Sequence, residues 1–405
     1  MFRVLKSLAL LLLVAATASA HGRRATSVSI RGEPGSSELA VGMTFGILVS
    51  ENGAKDWYWV CDQAVGYNDL LDPKLLWAKN GALYAALSDK VVRSTDRGCS
   101  WSELPDFSGI GAADLAESAQ GELFAVTQRF GVPNKLYRST DGVKFNATSL
   151  ERTNVFFTSV ELAPSDPQRF YVSGWFNEPI AAFLYRSDDG AQTFTEVTPT
   201  MQSQIDFALL AVSPANKDVI FARALGQDSS VLLIKSTDAG ASFRTVLLPA
   251  SPLRDVLVSS DGHTVLASAI GGVFKSTDDG ETFTKVASPS DNGCLWSNGS
   301  TTYVCGSPAP DGFSVGLIDV SSGAVTPLLA ALSDIKGPKQ CPAGTSVANT
   351  CSTYWGEYAP SLGITTTTPQ PPSDPPPAKT CGCDAAAGVA LPLGVLAIVR
   401  RRRRK

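Results

Sequence analysis

Chemistry on this chain has to come from carboxylates, guanidinium groups and aromatic rings, because its 405 residues include only two histidines, His21 and His263. A nucleophile activated by histidine is nearly excluded on that count. His263 follows Asp261-Gly262 and reads as a solvated turn residue. His21 becomes an N-terminal copper chelate only if a leader is cut after Ala20, and chance placement is the simpler account. No C-x-x-C pair occurs, so zinc has no ligand set. Gly271-Gly272 is too short to cradle phosphate, and no P-loop or dinucleotide fingerprint is present. The residues best suited to recognition lie between strand-like runs: Arg129, Phe130, Trp175, Glu178, Gln227, Asp228 and Asp311. Phe130 and Trp175 are placed to stack on a sugar or fill a partner pocket, against the alternative that they pack on neighbouring loops. Glu178, Asp228 and Asp311 would serve hydrolysis only if two of them converge. No catalytic residue, metal ligand or cofactor is assigned.

What must position these residues is a repeat. The pattern S-x-D-x-G-x-x-F is complete at Ser276, Asp278, Gly280 and Phe283 and at Ser236, Asp238, Gly240 and Phe243, and it recurs with Trp101 as the aromatic after Ser94, Asp96 and Gly98. Three copies are altered. Ser187, Asp189 and Phe194 keep the frame but move the glycine to Gly190; Ser139, Asp141 and Phe145 form a copy one residue short; Ser50 to Trp57 has Asn52 for the acid. A short carboxylate accepts amide hydrogens within its own turn and glycine supplies positive φ, so each copy reads as the tip of an antiparallel hairpin.

These octapeptides resemble the Asp-box (BNR) repeat of sialidases, sortilin-type receptors, xyloglucanases and photosystem assembly-factor propellers. The resemblance implies a turn-forming rather than a catalytic role for Asp96, Asp238 and Asp278. It does not extend to sialidase chemistry. The F/Y-R-x-P motif that carries one arginine of that family's carboxylate clamp is missing: Arg31 precedes Gly32-Glu33, and Arg93, Arg138 and Arg186 adjoin Asp boxes. Xyloglucanases of this kind place their cleft between two propellers, and only one fits here.

The serines of the six copies stand at 50, 94, 139, 187, 236 and 276, a period of about 45, and one further step reaches the turn near Ser321. With a hairpin also visible ahead of several copies, each unit supplies four short strands. The expected fold is all-β: a seven-bladed β-propeller of four-stranded antiparallel blades with Asp-box hairpins over 21–331, blade one from about Thr26 to Cys61 and blade seven from about Asn292 to Ala331. No convincing amphipathic helix is read. The Asp boxes are third turns, which puts a binding site on the opposite face, where the second turns and the blade connections lie.

The ends give an address. Arg3 and Lys6, the apolar run Leu8 to Ala16 and Ala18-Ser19-Ala20 make 1–20 a secretory signal. Export suggests disulfides among the body cysteines. Spacing favours Cys294 with Cys305 and Cys341 with Cys351, leaving Cys61 for Cys99, with 332–364 as a small disulfide-containing appendage that caps the last blade. A Pro/Thr-rich spacer fills 365–380. After it come Cys381 and Cys383, then an apolar stretch from Ala385 to Val399 long enough for a helix of about 22 Å, short of a bilayer core of roughly 30 Å, then Arg400 to Lys405. Residues 381–405 resemble the MYXO-CTERM sorting tail of myxobacterial surface proteins, which implies transient membrane retention, processing near the cysteines and delivery to the cell surface. A plain tail anchor is the alternative.

Of the 34 lysines and arginines, two lie in the leader and six in the final run, so against 38 Asp and Glu the exported body stands at about −12. Nucleic acid is not an expected partner of such a body. The expected function is a non-catalytic, monomeric surface propeller that binds a protein or glycan through its loop face. A secreted glycoside-acting enzyme using loop carboxylates is the alternative.

Overall fold

Seven four-stranded antiparallel sheets follow one another along the chain, each built from four consecutive strands. They occupy 27–60, 74–103, 114–152, 155–197, 205–247, 253–287 and 295–329. The computed structural model describes residues 27–365 apart from 68–71, 202–204, 227–229, 250–252, 288 and 290–293. The first strands touch one another in cyclic order, and Ser27–Gly32 of blade one also meets Leu295–Ser297 of blade seven, which closes a ring around a central channel. This is the seven-bladed all-β propeller that the repeat predicts.

The core lies between neighbouring blades. Second strands such as Leu83–Ala86 and Leu123–Val126 are buried at every position, because both faces of a blade meet another blade. That explains their unbroken apolar runs, where a half-solvated strand would alternate. Phe124, Val126 and Leu136 of blade three pack with Phe157, Phe170 and Tyr185 of blade four; Phe221 and Leu233 of blade five pack with Leu253 and Val256 of blade six.

Ring closure uses no exchanged strand. The chain leaves blade seven at Leu329 and crosses to the outer strand of blade one, Tyr58–Val60. There the Trp59 amide donates to the Gly337 carbonyl at 2.8 Å and the Lys339 amide donates to the Trp59 carbonyl at 2.8 Å, a parallel pairing on an otherwise bare sheet edge. A helix, Ser346–Ser361, follows, with the Thr345 hydroxyl accepting the Ala348 amide. Its aromatic side flanks the Trp59 indole, with Trp355 at 5.4 Å and Tyr358 at 5.2 Å between ring centroids.

Two cysteine pairings differ from the expectation. Cys294 joins Cys305, but Cys61 joins Cys351 and Cys99 joins Cys341, so Cys61–Cys99 and Cys341–Cys351 do not form. Closeness in sequence misleads here. The segment holding Cys341 and Cys351 lies across blades one and two, and the start of the helix between these residues presents one sulfur to each blade. The 332–364 segment thus fastens on the first two blades, not on the last. Its helix is the element that hydropathy hides: Val347, Cys351, Trp355, Tyr358 and Leu362 share helical spacing, but cysteine and aromatics carry the stripe.

Candidate functional site

The S-x-D-x-G-x-x-F turns consume their own chemistry. In each complete copy the serine hydroxyl donates to the acid and accepts the amide of the fifth residue: Ser276 reaches Asp278 at 2.6 Å and receives Gly280 at 2.9 Å, and Ser236 and Ser94 repeat this with Asp238 and Gly240 and with Asp96 and Gly98. The acid then accepts the seventh residue's amide and, from Thr282, Ser242 and Thr193, the hydroxyl as well. The Thr193 hydroxyl, its amide and the Ser187 hydroxyl hold the Asp189 carboxyl down to about 2. Asp278 is pulled well below the ordinary range by Ser276 and then Thr282. A carboxylate locked this way is a poor proton carrier, so these residues are scaffold.

Residues four and five of the box are both left-handed, as at Asp279 (φ 62°) and Gly280 (φ 82°). In the copy at Ser187 the order is Gly190 (φ 72°) then Ala191 (φ 66°), so the displaced glycine serves the same bend. The short copy closes through Asp141, which accepts the amides of Val143 and Lys144, both at 2.8 Å. Its Phe145 is buried against Phe107, and Trp101, Phe194, Phe243 and Phe283 pack on the apolar clusters around them. The seventh turn also carries an acid: Asp319 accepts the hydroxyl and the amide of Ser321, which bring its carboxyl down to about 2.

On the opposite face the second turns of blades three and four form a groove of about 180 Å³, lined by Arg129, Phe130, Val132, Asn154, Phe156 and Asn177 among others. Asn134 builds one wall. Buried at the base of the 127–133 loop, its carboxamide accepts the Arg129 amide at 2.7 Å and donates to the carbonyls of Arg129 (2.9 Å) and Val155 (2.7 Å), fixing the loop to itself and to the next blade. The other wall is the long hairpin Phe170–Asn177 and Ile180–Ser187, where Asn177 faces Ile180 and its amide donates to Asn154 at 2.9 Å. Across the gap run three near-parallel rings: Phe130 stacks on Phe156 (6.3 Å, 18°), and Phe156 on Trp175 (4.5 Å, 25°).

Sequence reasoning finds Arg129, Phe130 and Trp175, and the fold brings them to one place. It misses Phe156, which joins the two rings from a third strand, and the rim residues Val132, Asn154, Asn177 and Ile180. Glu178 stands exposed at the hairpin tip beside the groove. Asp311 belongs to blade seven, where it accepts the Ser307 amide at 2.7 Å. Gln227 and Asp228 lie outside the described residues, as do Cys381 and Cys383.

A second polar group lies in the channel. Arg31, Lys74, Asp114, Glu161 and Asp255 come from the first strands of blades one, two, three, four and six, and Glu161 feels the charge of all the others. Asp114 pairs with Lys74 at 3.6 Å and accepts the Val160 amide of the next blade at 3.2 Å. Glu161 accepts no hydrogen bond among the described residues. Burial and the Asp114 carboxylate push its carboxyl well above the ordinary range. Among the described residues no group of three or more His, Cys, Asp or Glu is arranged to hold a metal ion.

No protein-family model and no curated protein sequence matches the chain. Among solved structures it is similar to a family 74 xyloglucanase from Xanthomonas campestris, at 12% identity over 77% of this chain and 71% of that one, TM-score 0.35. It is similar to YCF48 bound to D1 peptide, at 14% identity over 60% and 74%, TM-score 0.42. A gluconolactonase from Xanthomonas campestris gives 12% identity over 71% and 96%, TM-score 0.44.

Proposed function

We propose that this protein is a non-catalytic propeller that binds a protein or glycan partner through the groove between blades three and four. One observation carries the reading. Of the five large apolar side chains exposed among the described residues, Phe130 (75% exposed) and Val132 (40%) line this groove and Ile180 (56%) stands on the hairpin that walls it, opposite Asn177, while Val143 and Leu248 are not part of it. Apolar surface gathered on a polar rim is what a recognition patch looks like, and it is costly to leave in water without one.

The three disulfides point to an oxidising, exported environment. No helix among the described residues is long and apolar enough to cross a membrane. With the secretory start and the cysteine-apolar-arginine end, the reading is a monomer delivered to the cell surface or released after tail processing, with no nucleic-acid partner. The test is a glycan and surface-protein binding screen with the full chain, repeated with Phe130→Ala and Trp175→Ala. Binding that both substitutions abolish supports the reading. Hydrolysis of a glycan, lost in Glu178→Gln or Asp228→Asn, would replace it with the glycoside-acting alternative.

A further inference from the structure

We infer that the occupant of the groove is an extended peptide segment in which apolar side chains stand next to an acidic residue. The inference rests on the binding reading above and deepens it from a patch to a chemistry.

Four observations select a peptide over a sugar. First, Phe156 already lies against two near-parallel rings, Phe130 and Trp175, so the middle ring of the series is engaged by its neighbours. A pyranose needs a free face bounded by polar groups; aliphatic and aromatic side chains pack on edges equally well. Second, the exposed apolar neighbours of the rings, Val132 and Ile180, give a sugar no hydrogen bond and give an apolar side chain its contact area. Third, the carboxamides of Asn154 and Asn177 have no partner among the described residues. Each offers a donor and an acceptor, the pair that a peptide unit in an extended strand presents in return. Fourth, the Arg129 guanidinium lines the groove and makes no ion pair among the described residues. On an acidic body an unpaired cation at an apolar patch favours a carboxylate on the incoming segment.

The floor is set in advance. Asn154 holds φ 57°, a left-handed turn pinned by the Asn177 amide, and Asn134 fixes the opposite loop. A rigid groove lowers the ordering cost of association, which then falls mainly on the peptide.

The experiment uses the full chain, produced with its disulfides, on an array of twelve-residue peptides bearing two apolar positions beside a glutamate. A matched array carries glutamine in place of the glutamate, and a carbohydrate array is probed in parallel. Affinities of the best peptides are then measured by fluorescence anisotropy for the wild type, Phe130→Ala, Arg129→Gln and, as a surface control away from the groove, Val143→Ser. The expected result is a loss of about tenfold or more for Phe130→Ala, a several-fold loss for Arg129→Gln, and none for Val143→Ser. In addition the glutamate-to-glutamine change should weaken wild type but leave Arg129→Gln unaffected. Peptide binding indifferent to that change overturns the acidic part. Carbohydrate binding that depends on Phe130 overturns the peptide while leaving the groove as a binding site, and no binding on either array overturns both.

Discussion

Cys61 and Cys351 are 290 residues apart in the chain and 5.4 Å apart between α-carbons. Because blade one and blade seven share no strand, this bond and Cys99–Cys341 are the only covalent ties, among the described residues, between the segment leaving the ring and the blades where the ring begins.

Replacing Cys61 and Cys351 together by serine is therefore expected to lower the unfolding free energy by about 2–4 kcal/mol, read from urea titration in the absence of reductant. Cys294 and Cys305 close a loop of only 11 residues within blade seven, and their double serine variant should lose less. Equal losses would show that the long bonds contribute nothing particular to ring closure.

Glycine at the fifth box position is not uniformly required. At Gly280 (φ 82°) an added Cβ would come within 2.5 Å of the Phe221 ring, so Gly280→Ala combines left-handed strain with overpacking, a loss of about 2–4 kcal/mol. At Ala191 (φ 66°) the methyl is already accommodated and buried, and Ala191→Gly trades strain for chain entropy, a change within about 1 kcal/mol. Denaturant midpoints of the two variants decide this.

Glu161 is a channel group whose ionisation the fold opposes. Its carboxyl is raised in the folded state, so the wild type keeps full stability below the ordinary glutamate value and loses some as pH climbs through the raised value. Glu161→Gln should melt higher than wild type at pH 8 and alike at pH 4. A variant that melts lower at both would mean that the ionised carboxylate is stabilising.

Asp189 has the opposite sign. With its carboxyl held at about 2, the stability it adds is present above pH 4 and disappears as pH falls toward 2. Asn52 shows what an amide can do in this place: it accepts the Ser50 hydroxyl at 3.2 Å and the Asp56 amide at 3.0 Å. Asp189→Asn should thus stay near wild type at pH 7 and lose the acid sensitivity of this turn, and Asp189→Ala should be the less stable of the two. Thermal melts from pH 2 to 7 test both.

The blades were legible because each box contains its whole cause: a serine, an acid and a left-handed pair satisfy one another within eight residues, so sequence spacing reports geometry. The groove was legible only in part. Phe130 and Trp175 stand out as loop aromatics, but Phe156 sits in an ordinary strand run, and only the neighbouring of blades three and four makes it the middle ring. The partners of Cys341 and Cys351 are illegible for a related reason, since spacing carries no information on which sheet edge is bare. The Gly337–Lys339 segment goes to Trp59 because that edge offers unpaired amides and carbonyls, a fact of the closed ring and not of any local stretch.

The helix Ser346–Ser361 begins beside Cys99 at a serine-acid turn and ends against Asp62–Val65 in the connection between blades one and two. A pull applied at Thr365 first meets a sulfur crosslink at Cys351 and passes through it into blade one. Blade seven lies outside that path. Mechanical tension on the tail would be borne by covalent bonds at the start of the ring, and the seam between the last sheet and the first would stay slack.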